Sequence, residues 1–200
     1  PVQDKGTKWQ INFTTLQIKL SRKVARADMV FSPRQKRKVV SPHFPPLRLF
    51  GTDLLYVDNF KYLGHIIDNK LNDDADIQRE IRNLFTRANI LTRRFSLCSQ
   101  SVKVALFKSY CISLYGCALW RNHTVSSLSK LRSCYHRCVK TFFGYKRHDS
   151  MTAVLFKLSI PSFNTLLHNS RCILRSQTVN CSNSLLQACC NRAAAIIWRW

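Results

Sequence analysis

Two adjacent carboxylates have the type and spacing that could bind a divalent cation. Asp73 and Asp74 are neighbours, and carboxylate oxygens are the ligands that magnesium prefers. They stand immediately before a run of apolar residues with helical spacing, where aspartate often caps a helix. Asp76 and Glu80 follow in the first turns, where negative charge is favourable. Capping is the stronger interpretation, so we predict no catalytic or metal-binding role for this pair.

Two cysteines could contribute to a zinc site. Cys134 and Cys138 are four residues apart on a predicted helix, but a structural zinc site needs four ligands. Nine residues separate Cys138 from the next histidine, His148, and no cysteine follows until Cys172. We therefore predict buried core thiols and no metal. The chain has nine cysteines without fixed spacing, which favours a reducing compartment.

Positive charge dominates the second part of the chain. The 200 residues hold 32 lysines and arginines against 10 aspartates and glutamates, for a net charge of +22. Residues 81–200 contain 18 basic residues and one acidic residue, Asp149. This excess predicts a polyanionic partner, and nucleic acid is the obvious one.

The composition predicts a folded, intracellular protein. The chain is 46% hydrophobic with only five glycines and six prolines, so it can form a core. Its longest apolar stretch, residues 110–120, is too short to span a membrane, which takes roughly 20 residues. The chain begins with Pro1 and polar residues, so we expect a fragment without a secretory signal.

The first part of the chain predicts short strands. Residues 29–31 are typical of a strand, and residues 47–57 of a hairpin that turns near Gly51. Residues 60–67 are apolar on both alternating faces, which predicts a third strand covered on both sides. His65 is then a packed strand residue rather than a catalytic base.

The remainder predicts helices. Periodicity indicates a basic amphipathic helix from Asp73 to about residue 95, a nearly all-apolar central helix at 102–120, and a third at 125–143 that stops at Gly144. A short segment at 151–158 precedes a helix that starts at Pro161 and continues to about residue 175. The predicted fold class is α+β: a short antiparallel part followed by basic helices.

This order of elements resembles the reverse transcriptases of non-LTR (LINE-type) retrotransposons. The resemblance rests on Val-Phe-Ser-Pro at 30–33, on Val-Asp-Asn-Phe-Lys-Tyr-Leu-Gly-His-Ile-Ile at 57–67, and on Asp-Asp-Ala-Asp-Ile at 73–77. It covers roughly residues 29–175. In that family such a strand closes the palm after the primer-grip hairpin, and the helices that follow form the thumb, which holds template and primer.

The resemblance implies four regions and two sets of site residues. The regions are a divergent leader at 1–28, the end of the palm at 29–68, a helical thumb at 69–145 and a helical extension at 146–200. The primer-grip-like residues would be Phe50, Gly51, Thr52, Tyr62, Leu63 and Gly64. The nucleic-acid-binding residues would be Lys61, Arg79, Arg82, Arg87, Arg93, Arg94, Lys103 and Lys108.

The resemblance also implies what the chain lacks. The family holds two Mg²⁺ ions on palm carboxylates, including an aromatic-Ala-Asp-Asp turn, and nothing before Phe60 matches that turn. We expect the complete enzyme to use Mg²⁺ and this chain to hold no cofactor and to be inactive alone. The expected partner is an RNA–DNA hybrid or a DNA duplex, with no membrane or small-molecule substrate, in the nucleus when chromosomal DNA is the target.

Two other interpretations compete with a reverse-transcriptase fragment. The chain could be a standalone basic helical module that binds single-stranded nucleic acid or a protein partner. Binding to single strands would use aromatic side chains, which stack on bases. The aromatic residues available for stacking would be Tyr110, Tyr115, Trp120, Tyr135 and Trp198. The third interpretation is a relic of a degraded element with no selected function.

Overall fold

The computed structural model describes residues 27–29, 31, 48, 49 and 52–184, and within them the fold is α+β as predicted. Three two-stranded sheets come first and five α-helices follow. The strands are β1 (Ala27–Asp28), β2 (Arg48–Leu49), β3 (Thr52–Asp53), β4 (Leu55–Tyr56), β5 (Asn59–Tyr62) and β6 (His65–Asp68). The helices are α1 (Asp74–Arg94), α2 (Gln100–Cys111), α3 (Val125–Phe143), α4 (Met151–Leu158) and α5 (Phe163–Val179), with a 3₁₀ turn at Cys117–Leu119.

The hairpin predicted at 47–57 is only partly correct, because Leu55 and Tyr56 of its predicted second strand pair with β1 and not with β2. Strands β2 and β3 pair antiparallel, with Leu49 opposite Thr52, so Thr52 belongs to a strand and not to the turn. Phe50 and Gly51, which were predicted to be in the turn, lie outside the described residues. The strand predicted at 29–31 is wrong: β1 ends at Asp28 and pairs in parallel with β4. Such pairing is non-local, so a local apolar run does not locate it.

The single strand predicted at 60–67 is a hairpin. Strands β5 and β6 pair antiparallel with Tyr62 opposite His65, and Leu63 and Gly64 form the two-residue turn between them. Both turn residues have positive φ, 46° and 85°, as in a type I′ turn. The prediction that both faces are covered is also wrong, because no residue of β5 or β6 is fully buried.

The central helix pair is α1 and α3. Their amino-terminal ends lie together, and the Cys134 thiol contacts the Ile81 carbonyl further along, so the two helices run parallel. Helix α2 was predicted to be central and to reach residue 120, but it ends at Cys111 and buries only Phe107 and Cys111. The chain turns instead through Gly116, whose φ is 76°.

The other helices pack onto this pair in one core. Helix α3 has the predicted bounds and ends at Gly144, whose left-handed backbone caps it. Pro161 precedes the capping residue Ser162 of α5 and lies just outside that helix. Buried side chains run continuously from Ile77 to Leu167, so the boundary predicted at residue 145 does not separate two cores. None of the described helices is long and apolar enough to cross a membrane.

Candidate nucleic-acid interface

A buried carboxylate joins three parts of the molecule. Asp76 Oδ1 accepts hydrogen bonds from Arg79 Nε at 2.6 Å and from the Ile66 amide at 2.9 Å. Its Oδ2 accepts from Trp120 Nε1 at 2.8 Å and contacts His65 Nδ1 at 3.0 Å. The β5–β6 hairpin, α1 and the segment before α3 therefore meet at one side chain, which is only 3% exposed.

The hydrogen bonds keep this carboxylate ionised. Burial alone would raise the pKa of Asp76, but the hydrogen bonds from Arg79, Trp120 and His65 outweigh it and hold that pKa well below its usual range. His65 also stacks on the Tyr115 ring, with the centroids 4.8 Å apart. It is thus a packed strand residue, as the sequence predicts.

A second buried carboxylate uses two of the predicted nucleic-acid-binding residues. Glu80 is fully buried and accepts hydrogen bonds from Arg87 at 2.6 Å and from Arg79 at 3.3 Å. Arg79 is 9% exposed and also donates to Asp76. These pairings give Arg79 and Arg87 a structural role, because each already neutralises a buried carboxylate. Helical periodicity did not separate these two arginines from the exposed ones, because an arginine near the core boundary can turn inward to pair with a buried carboxylate.

Asp73 occupies the capping position of α1 as predicted, but its side chain does not make the capping hydrogen bond. Neither side chain bonds to an amide at the start of α1. Asp73 Oδ2 accepts instead from the amides of Arg121 and Asn122 at 2.8 and 2.7 Å. Asp74 Oδ1 accepts from the Thr124 amide at 2.9 Å. The pair anchors the start of α3 to the start of α1, a long-range contact that local sequence does not specify.

Most other predicted nucleic-acid-binding residues remain accessible. Lys61, Arg82, Arg93, Arg94 and Lys108 are exposed, and Lys103 is partly buried. None of them forms an ion pair with a carboxylate of the described residues, whereas Arg48, Arg79 and Arg87 each do.

Exposed cations from α1 and α3 share one surface. Arg82 and Arg93 are eleven residues apart on α1, so they lie on one side of it, about 16 Å apart along the axis. Lys130 and Arg137 are seven residues apart on α3 and also share a side. Arg137 lies over the ring of Phe85, 5.7 Å from its centroid, which brings that side of α3 against the side of α1 that carries Arg82.

We call Arg82, Arg93, Lys130 and Arg137 the α1–α3 basic face. The set of site residues predicted from the sequence omits Lys130 and Arg137. Their outward position on the amphipathic helix was readable, but the parallel packing that places them beside α1 was not.

The primer-grip-like residues are only partly described. Phe50 and Gly51 lie outside the described residues, and Thr52 is in β3. Tyr62, Leu63 and Gly64 are at the β5–β6 turn, where the Tyr115 hydroxyl donates to the Leu63 carbonyl at 3.0 Å. The turn is therefore held on the helical part of the molecule.

The other chemistry-bearing side chains are largely in the core. Cys134 and Cys138 are free and buried as predicted, and no group of three or more possible metal ligands comes together among the described residues. Trp120 and Tyr135 are also buried, so they are not available for base stacking, and Trp198 lies outside the described residues. Tyr110 is exposed.

Comparisons of the chain with protein-family models, with curated protein sequences and with solved structures found no match.

Proposed function

We propose that this chain is the palm end and thumb of a non-LTR retrotransposon reverse transcriptase and binds an RNA–DNA hybrid or a DNA duplex through its phosphates. The α1–α3 basic face supplies the contacts, together with Arg94 and Lys108. Phosphate contacts carry little sequence information, so the preference among sequences is slight. RNA-templated DNA synthesis belongs to the complete protein, acting in the nucleus on chromosomal DNA.

The observation that carries this proposal is that the carboxylates near the basic face bind other groups and not its four cations. Asp73 and Asp74 bind amides before α3, and Asp76 and Glu80 bind arginines in the core. The only later acidic residue, Asp149, accepts from the Lys146 amide beyond α3. The four cations of the basic face therefore keep their charge available for a polyanion.

Catalysis is not assigned to this chain. Asp73 and Asp74 accept backbone amides before α3, which gives this pair a structural role. The Mg²⁺ ions and their carboxylates belong to the part of the enzyme that precedes this chain. We expect the chain to bind a primer–template without extending the primer.

A charge-matched comparison tests the proposal. Changing Arg82, Arg93, Lys130 and Arg137 together to Gln should weaken binding to a labelled RNA–DNA hybrid by roughly 100- to 1,000-fold at about 0.1 M salt, measured by fluorescence anisotropy. The control removes the same charge from exposed cations on other elements: Arg48, Lys70, Lys146 and Lys157. Equal losses in the two variants would mean that net charge, and not this face, determines binding.

A further inference from the structure

An apolar groove lies between the β5–β6 hairpin and the 3₁₀ turn. Its volume is about 470 Å³, within the range of about 300–1,000 Å³ that is typical of small-ligand sites, so one aromatic ring fits inside. Leu63, Leu71 and Leu119, which line it, are 71%, 58% and 57% exposed. Exposed leucines that line one concavity are typical of a surface that another group covers.

The groove is acidic, although the chain as a whole is basic. Asp68, Asp73 and Asp76 line it, and none of the described residues in its lining is a lysine or an arginine. Asp76 is paired with Arg79, but neither Asp68 nor Asp73 forms an ion pair within the described residues. Both accept backbone amides, which leave the carboxylate charge in place. The groove therefore favours an apolar group that has a positive charge beside it.

Helix α4 presents such a group on its exposed side. Phe156 is 87% exposed, more than any other phenylalanine, tyrosine or tryptophan among the described residues. Thr152 and Ala153, one turn before it, are small and exposed, so the ring projects from the surface of the helix. Lys157 follows directly, is exposed, and is the only charged residue of α4. Helix α4 therefore carries a projecting aromatic ring with a cation next to it.

We propose that Phe156 of a second copy of this chain docks in the groove, with Lys157 of that copy beside Asp68. Phe156 does not line the groove of its own molecule, so the contact forms between molecules. It joins two different surfaces and is therefore head-to-tail, which leaves one groove and one ring of each dimer open to further copies. A contact made by one ring and one small groove is weak and transient.

The net charge of the chain does not prevent this contact at physiological salt. Two copies with a charge of +22 repel each other. At an ionic strength of about 0.15 M this repulsion is screened beyond about 8 Å, so the charges at the contact itself decide the local interaction. Neither Phe156 nor the groove belongs to the α1–α3 basic face, so the contact does not require duplex binding.

Photocrosslinking between two differently labelled copies of the full chain, without nucleic acid, tests this contact. The first copy is unlabelled and carries Phe156→benzoylphenylalanine, which keeps an aromatic ring at the position. The second copy is the parent chain labelled with nitrogen-15, and both are mixed at about 0.1 mM in about 0.15 M salt. After irradiation and trypsin digestion, the expected adducts join position 156 of the unlabelled copy to labelled peptides that contain the groove residues: 62–70, 71–79 or 109–121.

The matched control is Val125→benzoylphenylalanine. Val125 is 86% exposed at the start of α3 and does not line the groove, so this variant should give none of these adducts. Circular dichroism establishes that both variants are folded. The docking is overturned by adducts confined to the unlabelled copy, by adducts with labelled peptides outside the groove, by equal yields at positions 156 and 125, or by no adduct.

A charge exchange tests the electrostatic part of the contact. Lys157→Glu in the crosslinking copy, or Asp68→Lys in the labelled copy, should each lower the yield of crosslinked dimer about threefold. The two changes together should restore the yield, because they place opposite charges side by side again. Lys146→Glu removes an exposed lysine outside α4 and should leave the yield unchanged. If the combination gives no recovery, Lys157 does not lie beside Asp68 and the proposed docking is wrong.

Discussion

Gly116 and Gly144 have the same backbone conformation and different surroundings. Both have φ of 76°, in the left-handed region that favours glycine. A Cβ atom added at Gly144 meets no atom within 4 Å, whereas one added at Gly116 lies 1.8 Å from Cε1 of His65. Changing each glycine to alanine therefore imposes the same backbone strain, and only Gly116→Ala also displaces the His65 ring.

The expected difference in stability follows from the contacts of His65. The left-handed conformation costs alanine about 1–2 kcal/mol at either position. Moving the His65 ring also breaks its contact with the ionised Asp76, worth about 1.5–3 kcal/mol, and its stacking on Tyr115, worth about 0.5–1.5 kcal/mol. Gly116→Ala should therefore lower the free energy of unfolding by about 2–4 kcal/mol more than Gly144→Ala does.

Urea denaturation at pH 7, followed by far-ultraviolet circular dichroism, measures both changes. The double variant His65→Ala/Gly116→Ala supplies the second test, because removing the ring removes the clash. We expect the alanine at position 116 to cost only the backbone strain, about 1–2 kcal/mol, in that background. Equal losses of stability in Gly116→Ala and Gly144→Ala would show that the packing described at Asp76 is incorrect. So would a cost of Gly116→Ala that is as large in the His65→Ala background as in the parent protein.

Three further outcomes follow from the buried network and the thiols. Asp76→Asn should lower the free energy of unfolding by about 3 kcal/mol at pH 7, because Arg79 loses its buried counter-charge. The pKa of Asp76 is depressed in the folded state, so ionised Asp76 stabilises the fold above about pH 4, and this stabilisation is lost as the pH falls further. The difference in free energy of unfolding between Asp76→Asn and the parent protein, measured by urea denaturation, should therefore be smaller at pH 3 than at pH 7. Tyr115→Phe should lower the free energy of unfolding by about 1 kcal/mol in the same assay, because it loses the hydrogen bond to the Leu63 carbonyl. An unchanged free energy of unfolding would contradict that contact. In timed alkylation read by mass spectrometry, exposed Cys172 should react well before Cys111, because burial raises the pKa of Cys111 to about 11.

The sequence predicts those features that local patterns determine. Helix α3 was correct at both ends because its apolar stripe is regular and Gly144 supplies the left-handed residue that ends it. The start of α1 was also predicted correctly, because its apolar residues recur at helical spacing after Asp73. The β5–β6 turn was missed because Leu63 adopts a positive φ, and leucine gives no turn signal.

Other features depend on tertiary contacts. The position of β1 depends on its parallel pairing with β4, which involves residues 28 positions away. The roles of Asp73, Arg79 and Arg87 depend on which groups the fold brings to them. The phosphate-binding residues predicted from the sequence therefore include two arginines that pair with buried carboxylates. They do not include Lys130 and Arg137, whose side of α3 meets α1 because the two helices pack in parallel.

The salt dependence of duplex binding by the full chain tests the central claim most directly. Binding to a DNA duplex is measured between about 50 and 200 mM salt for the parent chain and for the variant with Gln at positions 82, 93, 130 and 137. We predict that the affinity of the parent falls steeply with salt and that the variant has a slope shallower by about 3–4, since each phosphate contact contributes about 0.9. A parent affinity that does not change with salt, or identical slopes for the two proteins, would contradict binding through these four cations.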